Sequence, residues 1–440
     1  MADIFKAYDI RGIYGDTLTE EIAALIGRAF ATLLHCKKVV VGRDMRPHSE
    51  PLFAALSKGL SMQGADIIDV GLCSTPMSYY ANGILGADAS IMITASHNPG
   101  EWNGFKLCRE QAIPISGFTG IEDIERMVNE HAFDPVVESP GRIETYDIRP
   151  EYLEHIRSFA KIKRPVSVAI DYANAMGLYE GKVLEGLVHI DPLFDTLDGS
   201  FPNHEANPLD LDTLVRLQEK IRQGSYDFGI AYDGDADRVG FVDERGNVVP
   251  MDIITALIAQ ELLDQEKGIV FYDLRSSWAV KEVIEENGGT PRMSRVGHAF
   301  IKQQVREAEA IFAGELSGHY YFRENYYAES SSLAALYIAN LASHSDKPLS
   351  ELVRPIQRYY ASGEINSAVK DVEAVFQQLR DQFPDGTFLK LDGLSIEYDD
   401  WWFNVRPSNT EPLVRLNVEG KTRELMEQKR DQLLTLIRQK

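Results

Sequence analysis

The sequence predicts an α/β protein: three related α/β units followed by a smaller C-terminal α+β unit. Three observations carry this. Three β-branched runs each end at an aspartate and lead into a stretch that can be helical. Three later apolar runs each break into a polar loop marked by glycine or proline. The final part of the chain drops that pattern for two strand-like runs around one polar turn and then a helix.

Val39-Val40-Val41-Gly42-Arg43-Asp44 opens the first unit and Val166-Ser167-Val168-Ala169-Ile170-Asp171 the second. Ile269-Val270-Phe271-Tyr272-Asp273-Leu274-Arg275 opens the third. Short apolar runs alternating with helical patterns argue for parallel βαβ units. The units also close alike. Ile91–Ile93 runs into Thr94-Ala95-Ser96-His97-Asn98-Pro99, and Phe228–Tyr232 into Asp233-Gly234-Asp235-Ala236-Asp237-Arg238. Ala310–Ala313 runs into Gly314-Glu315-Leu316-Ser317-Gly318-His319. Ligands of open α/β sheets gather at the carboxyl ends of strands, so three such loops can face one cleft. In the last unit, Trp401–Arg406 and Leu413–Glu419 read as strands around Pro407-Ser408-Asn409-Thr410-Glu411-Pro412. Val414, Leu416 and Val418 alternate with Arg415, Asn417 and Glu419, which predicts a half-exposed strand. A helix is expected from Arg423 onward. Boundaries near Ile148–Glu151, Glu244–Asp252 and Gln357–Glu364 give units at 1–149, 150–246, 247–357 and 358–440.

Bulk properties restrict the function. Apolar residues make up 44% of the 440 and charged residues 25%, enough for several buried cores. The formal charge of −22 disfavours DNA or an anionic membrane as partner, since either needs a positive face. An anionic substrate must therefore meet a local basic cleft. Cys36, Cys73 and Cys108 are too few and too scattered for a disulfide framework or a zinc site, so a reducing cytoplasm is expected. No leader-like or membrane-spanning apolar run is read in the sequence.

The loops carry the chemistry. Asp233, Asp235 and Asp237 at i, i+2 and i+4 put three carboxylates on one side of an extended or looped chain. Their repulsion is relieved by a divalent cation, and hard oxygen ligands suit Mg²⁺. An EF-hand is excluded: Glu244 stands at the twelfth position, but Arg238 replaces the turn glycine and the flanks read as strands. A solvated acidic turn is the bland alternative. Ser96 has no Gly-x-Ser-x-Gly elbow around it, so an acyl-transfer triad lacks support. It is either a turn serine before a helix or the carrier of a phosphoryl group, whose oxygens would complete a site that three aspartates leave open. Glu315, Ser317 and His319 offer a carboxylate, a hydroxyl and an imidazole suited to sugar hydroxyls, or form a plain turn. Arg406, Ser408, Asn409 and Thr410 compose a phosphate cradle, or a hairpin with an incidental arginine. Tyr8, Arg11, Arg43, Lys106, Arg275 and Arg295 stand in or beside these segments, and His298 is a proton-shuttle candidate.

TASHNP, DGDADR, GELSGH and RPSNTEP, in that order and preceded by KAYDIRG, resemble the α-D-phosphohexomutase superfamily, within it the bacterial phosphomannomutase/phosphoglucomutase branch. The resemblance spans nearly the whole chain. It implies three mixed-sheet α/β domains and a C-terminal α+β domain in a heart shape around a central cleft. It implies that Ser96 is phosphorylated and holds Mg²⁺ with Asp233, Asp235 and Asp237. His97, Asn98, Lys106 and Arg238 would then line the reacting phosphoryl group, with Glu315 and Ser317 on sugar hydroxyls. Arg406, Ser408, Asn409 and Thr410 would grip the phosphate that does not react. The implied reaction passes through a hexose 1,6-bisphosphate, with glucose or mannose 1,6-bisphosphate as priming activator. Arg275 stands where some members carry a lysine that helps proton transfer, so Lys106 and His298 are the candidates for the general base. Leu316 replaces the methionine of the GEMSGH form, which favours mannose and glucose phosphates over glucosamine phosphate. A phosphoglucosamine mutase, a phosphatase using Ser96, or a non-catalytic sugar-phosphate or metal binder are the alternatives. A monomer or weak homo-oligomer is expected.

Overall fold

Each of the β-branched runs forms an interior strand of a sheet. The structure, a computed structural model, describes residues 4–407 and 413–438. Four sheets follow one another along the described chain. In the first, the order across the sheet is Ile10–Ile13, Trp102–Arg109, Ala89–Ile93, Lys38–Arg43, Asp66–Leu72 and Ile143–Thr145. Lys38–Arg43 is parallel to both of its neighbours, and its three valines are fully buried, as β-branched residues between two helical layers should be. Trp102–Arg109 then runs antiparallel to Ala89–Ile93.

The second and third sheets repeat this plan. Ser167–Asp171 lies parallel to Phe228–Tyr232, which turns back into the antiparallel Val239–Asp243. Ile269–Asp273 lies parallel to Phe312–Gly314, which turns back into the antiparallel Tyr320–Phe322. The sheets are therefore mixed. Each polar loop is the connection between a parallel-core strand and its antiparallel partner. The third of these strands begins two residues later than the sequence suggests and takes in Gly314.

One apolar core runs through the first three units. Tyr80 and Met77 of the first, Tyr152 and Phe228 of the second, and Leu333 and Tyr337 of the third belong to the same buried cluster. The fourth unit has its own core, built around Phe403, Leu416 and Leu433. Its sheet is antiparallel, with Trp401–Pro407 against Leu413–Gly420, and the helix Arg423–Arg438 packs on it. Here the half-exposed strand needs correction. Arg415 is half-buried, but Asn417 and Glu419 on the polar side are buried. Glu419 accepts hydrogen bonds from the Trp278 backbone N–H and the Trp402 indole, so the third unit covers that face. Further polar attachments of the fourth unit include Trp278 to Glu397 and Arg275 to Glu364, and the Tyr359 ring packs edge-on to Trp278. All three cysteines are buried and unpaired. No described helix is long and apolar enough to cross a membrane.

Candidate active site

The strand Ala89–Ile93 delivers Ser96 into a tight turn in which its backbone is left-handed, with φ of 53°. A non-glycine residue in that region stores about 1–3 kcal/mol of strain, a feature that clusters at functional sites. The Ser96 hydroxyl lies 3.1 Å from Oδ2 of Asp233 and 3.2 Å from Nδ1 of His97. Arg11 steadies the loop from below, bonding Oδ1 of Asn98 at 2.6 Å while paired with Asp9. The two loops touch without a gap: a Cβ added to Gly234 would stand 2.2 Å from the Ser96 carbonyl oxygen.

Asp233, Asp235 and Asp237 are buried, and their ligand atoms lie within 4.8 Å of one another. Burial, then the charges of Asp237 and Asp235, push the Asp233 carboxyl up, against Arg238 and Lys106. Burial also acts to raise Asp237, but Lys106 and His319 hold it well below the carboxylate range. Lys106 Nζ pairs with Asp235 at 2.6 Å and with Asp237. Thr75 donates its hydroxyl to Asp235 Oδ2, while Oδ1 of Asp235 is buried without a partner. A convergent set of hard oxygens, one of them orphaned, with a serine oxygen beside it, fits a divalent cation of the Mg²⁺ type.

The third loop meets the second. His319 Nε2 stands 3.3 Å from Oδ1 of Asp237 and 3.2 Å from Nε of Arg238. His319 Nδ1 and the Ser317 hydroxyl lie 2.9 and 2.8 Å from Oε2 of Glu315. Burial alone would lower the His319 imidazole, but Asp237 and Glu315 outweigh it and raise it to about 9. Burial would raise Glu315, and His319, Arg275 and Ser317 instead hold it well below the usual range. His298 heads the helix His298–Glu307, edge-on to Tyr8 with ring centroids 5.3 Å apart. Burial, with Lys302 and His319 nearby, keeps its imidazole neutral.

Arg275 and Arg406 come together on one carboxylate that the sequence did not single out. Glu364 takes Arg406 at 2.9 Å, Arg415 at 2.9 Å and Arg275 at 3.5 Å. Burial opposes its ionisation, yet Arg275 and Arg406 bring Glu364 down to about 2. Ser408, Asn409 and Thr410 lie outside the described residues. Tyr8 is half-buried; burial, with Asp392 and Glu315, raises its hydroxyl against the opposing charges of Arg295 and Arg406.

Sequence models of phosphoglucomutase/phosphomannomutase α/β/α domains I, II and III match residues 2–134, 150–246 and 250–359, and that of the C-terminal domain matches 364–436. The chain belongs to the phosphoglucomutase/phosphomannomutase family. A phosphomannomutase of Escherichia coli K12 is 40% identical, with 98% of each chain covered. One of Methanocaldococcus jannaschii is 39% identical, covering 99% of this chain and 97% of its own. The crystal structure of a family protein from Burkholderia thailandensis superposes with a TM-score of 0.91 at 31% identity, over 98% of this chain and 96% of that one.

In this phosphoglucomutase/phosphomannomutase family member, further residues that sequence reasoning missed pack against the same loops. Glu329 is buried, pairs with Lys302 at 2.8 Å and has its other oxygen 3.7 Å from Nδ1 of His298. Asp273 accepts the Leu316 backbone N–H at 2.7 Å and pairs with Arg275, tying the third loop to its strand. Lys302 sits one helical turn after His298, a spacing that could have flagged the pair. Thr75, Glu329 and Glu364 give no local signal.

Proposed function

We propose that the chain interconverts the 1- and 6-phosphates of mannose, and of glucose, through a phosphoserine at Ser96 and a hexose 1,6-bisphosphate. The observation that carries this is the Ser96 hydroxyl set against Asp233 in a buried group joined to the third loop. The four units at 1–149, 150–246, 247–357 and 358–440 each supply one loop to the reaction.

Phosphoserine 96 passes its phosphoryl group to the free hydroxyl of the bound sugar phosphate, giving the bisphosphate and free Ser96. The bisphosphate turns over, and Ser96 takes back the other phosphoryl group. Phosphoryl transfer asks for in-line placement and neutralised oxygens more than covalent help. Mg²⁺, held by Asp233, Asp235, Asp237 and the oxygens on Ser96, supplies charge neutralisation when bound. Arg238 and Lys106 add fixed positive charge at the same place. His97 orients Oγ of Ser96. His298, neutral and with Nδ1 turned to Glu329, accepts the proton of the attacking sugar hydroxyl at Nε2. Lys106, the other candidate base, is engaged by two carboxylates. Glu315, Ser317 and His319 hold sugar hydroxyls. Tyr8, Arg11, Asn98 and Arg275 line the substrate's path. Arg406, Ser408, Asn409 and Thr410 grip the distal phosphate. Glucose or mannose 1,6-bisphosphate primes the enzyme, which works in the cytoplasm as a monomer or weak homo-oligomer.

The test is to supply mannose 1-phosphate with Mg²⁺ and catalytic glucose 1,6-bisphosphate and to follow mannose 6-phosphate. Glucose and glucosamine phosphates are compared under the same conditions. No product from any of the three overturns the reading, and glucosamine phosphate as the preferred substrate overturns its sugar assignment.

A further inference from the structure

We propose that Arg46 is the positioning residue that holds the Ser96 loop in its phosphoryl-carrying geometry against the metal loop. The proposal rests on Ser96 being the phosphoryl carrier.

The Arg46 side chain is fully buried, and its five N–H donors are all spent. One terminal nitrogen donates to the carbonyl oxygens of Ser96 at 3.0 Å and Asn98 at 2.7 Å. The other donates to Pro99 at 2.7 Å and Trp102 at 2.9 Å. Nε donates to Asp44 Oδ2 at 3.2 Å. Asp44 in turn accepts the Ser49 hydroxyl, and its own N–H bonds the Ile93 carbonyl at the root of the loop. With no donor left over, Arg46 cannot touch a substrate and acts through the loop alone.

The need for such a residue is visible in the loop. Four carbonyls between Ser96 and Trp102 point inward at one spot. Left without a donor, the buried carbonyls would lose the bonds that offset their desolvation, and the loop would rearrange to reach water. Ser96 is also held left-handed, a conformation that persists only when the surroundings impose it. The other face of the guanidinium lies 5.1 Å from the ring centroid of Phe201, in the second unit. Phe201 borders Gly234, so the Ser96 carbonyl sits between the guanidinium and the metal loop. One cation thereby sets both the shape of the loop and its seat on the neighbouring unit. Arginine suits this role because its planar fork meets several fixed acceptors at once, where an ammonium meets three at most.

A cavity of about 610 Å³ between the first two units is lined by Arg46 together with Asp44, Met45, Tyr146 and Tyr179. Arg46→Ala would extend that cavity toward the four carbonyls, so the arginine's role can be tested by chemical rescue with a small cation. The Mg²⁺-loaded, bisphosphate-primed variant is assayed per Ser96 that carries phosphate, counted by intact mass. The expected result is a fall in kcat of about 100-fold, the scale of a displaced reacting group, with KM within about threefold of wild type. Inorganic phosphate released per turnover should rise, because a loosened phosphoserine passes its phosphoryl group to water and leaves free serine. Low-millimolar guanidinium chloride should restore kcat by about tenfold or more. If Arg46→Ala does not fold, Arg46→Lys decides: the expected result is an intermediate loss of kcat and the same rise in phosphate release. Wild-type kcat per phosphorylated serine in either variant, or a loss confined to KM, overturns the proposal. A wild-type enzyme that never carries phosphate on Ser96 overturns the functional reading instead, so the two failures are distinct.

Discussion

The hydroxyl oxygen of Ser96 lies 3.1 Å from Oδ2 of Asp233, although the two residues stand 137 positions apart. Neither residue is a finished site alone, and a phosphoryl group on Ser96 would bring its oxygens beside the carboxylate, where one divalent cation can hold both. Ser96→Ala should reduce turnover by about a thousandfold or more while leaving the thermal unfolding midpoint within a few degrees. Turnover assays and intact mass spectrometry check both, since wild type should gain one phosphate after priming and the variant none. Wild-type turnover in the variant would end the assignment.

Asp235→Asn removes charge from the loop aspartate whose Oδ1 is buried without a partner. The Mg²⁺ concentration for half-maximal activity should rise about tenfold or more, with partial recovery at high Mg²⁺. Titration of chelator-treated enzyme reads this directly. An unchanged Mg²⁺ midpoint would remove Asp235 from the ligand set.

Arg406→Ala should raise KM for the hexose phosphate by about tenfold to a hundredfold, the value of a lost charge-assisted hydrogen bond. The grip on the distal phosphate is made before and during transfer, so kcat should change less. Steady-state kinetics separate the two, and an unaltered KM would contradict the cradle.

Glu180 joins the first three units and titrates in an accessible range. It is fully buried, accepting hydroxyls from Ser74 of the first unit, Tyr152 of the second and Ser332 of the third. Burial, against the Ser74 and Tyr152 bonds, raises its carboxyl from 4.5 to about 7. The folded protein therefore keeps a proton that the unfolded chain loses, and stability falls as pH rises from about 4.5 to about 7. The shift corresponds to about 3 kcal/mol at full ionisation. Glu180→Gln keeps a neutral group there at every pH. Relative to wild type, its unfolding midpoint should gain between pH 5 and pH 8, and parallel pH profiles would refute the assignment.

What was legible in the sequence was what is local in it. The strand ends at Ile93 and Tyr232 could be placed because β-branched or apolar runs stop at small polar residues there. The three aspartates were legible because their spacing is a property of one short loop. Lys106 was visible as a cation, but its two partners lie 129 and 131 residues away, so its pairing was not. Glu364 gave no signal because a lone glutamate in a connecting segment gains meaning only when arginines from two units fold onto it. The covered face of Leu413–Gly420 was misjudged for the same reason: alternation shows which side is polar, and only a neighbouring unit decides whether water reaches it.

Ser96 is 1% exposed and sits at the tip of a hairpin pressed between two units. A protein kinase or protein phosphatase works by drawing an extended peptide into its own groove, and this segment cannot be presented that way without parting the first two units. In this arrangement the serine is not presented as an extended peptide. On the proposed mechanism, a phosphate on Ser96 would be loaded and unloaded only by molecules small enough to reach it between the loops, and the supply of sugar bisphosphate would govern how much of the enzyme is charged.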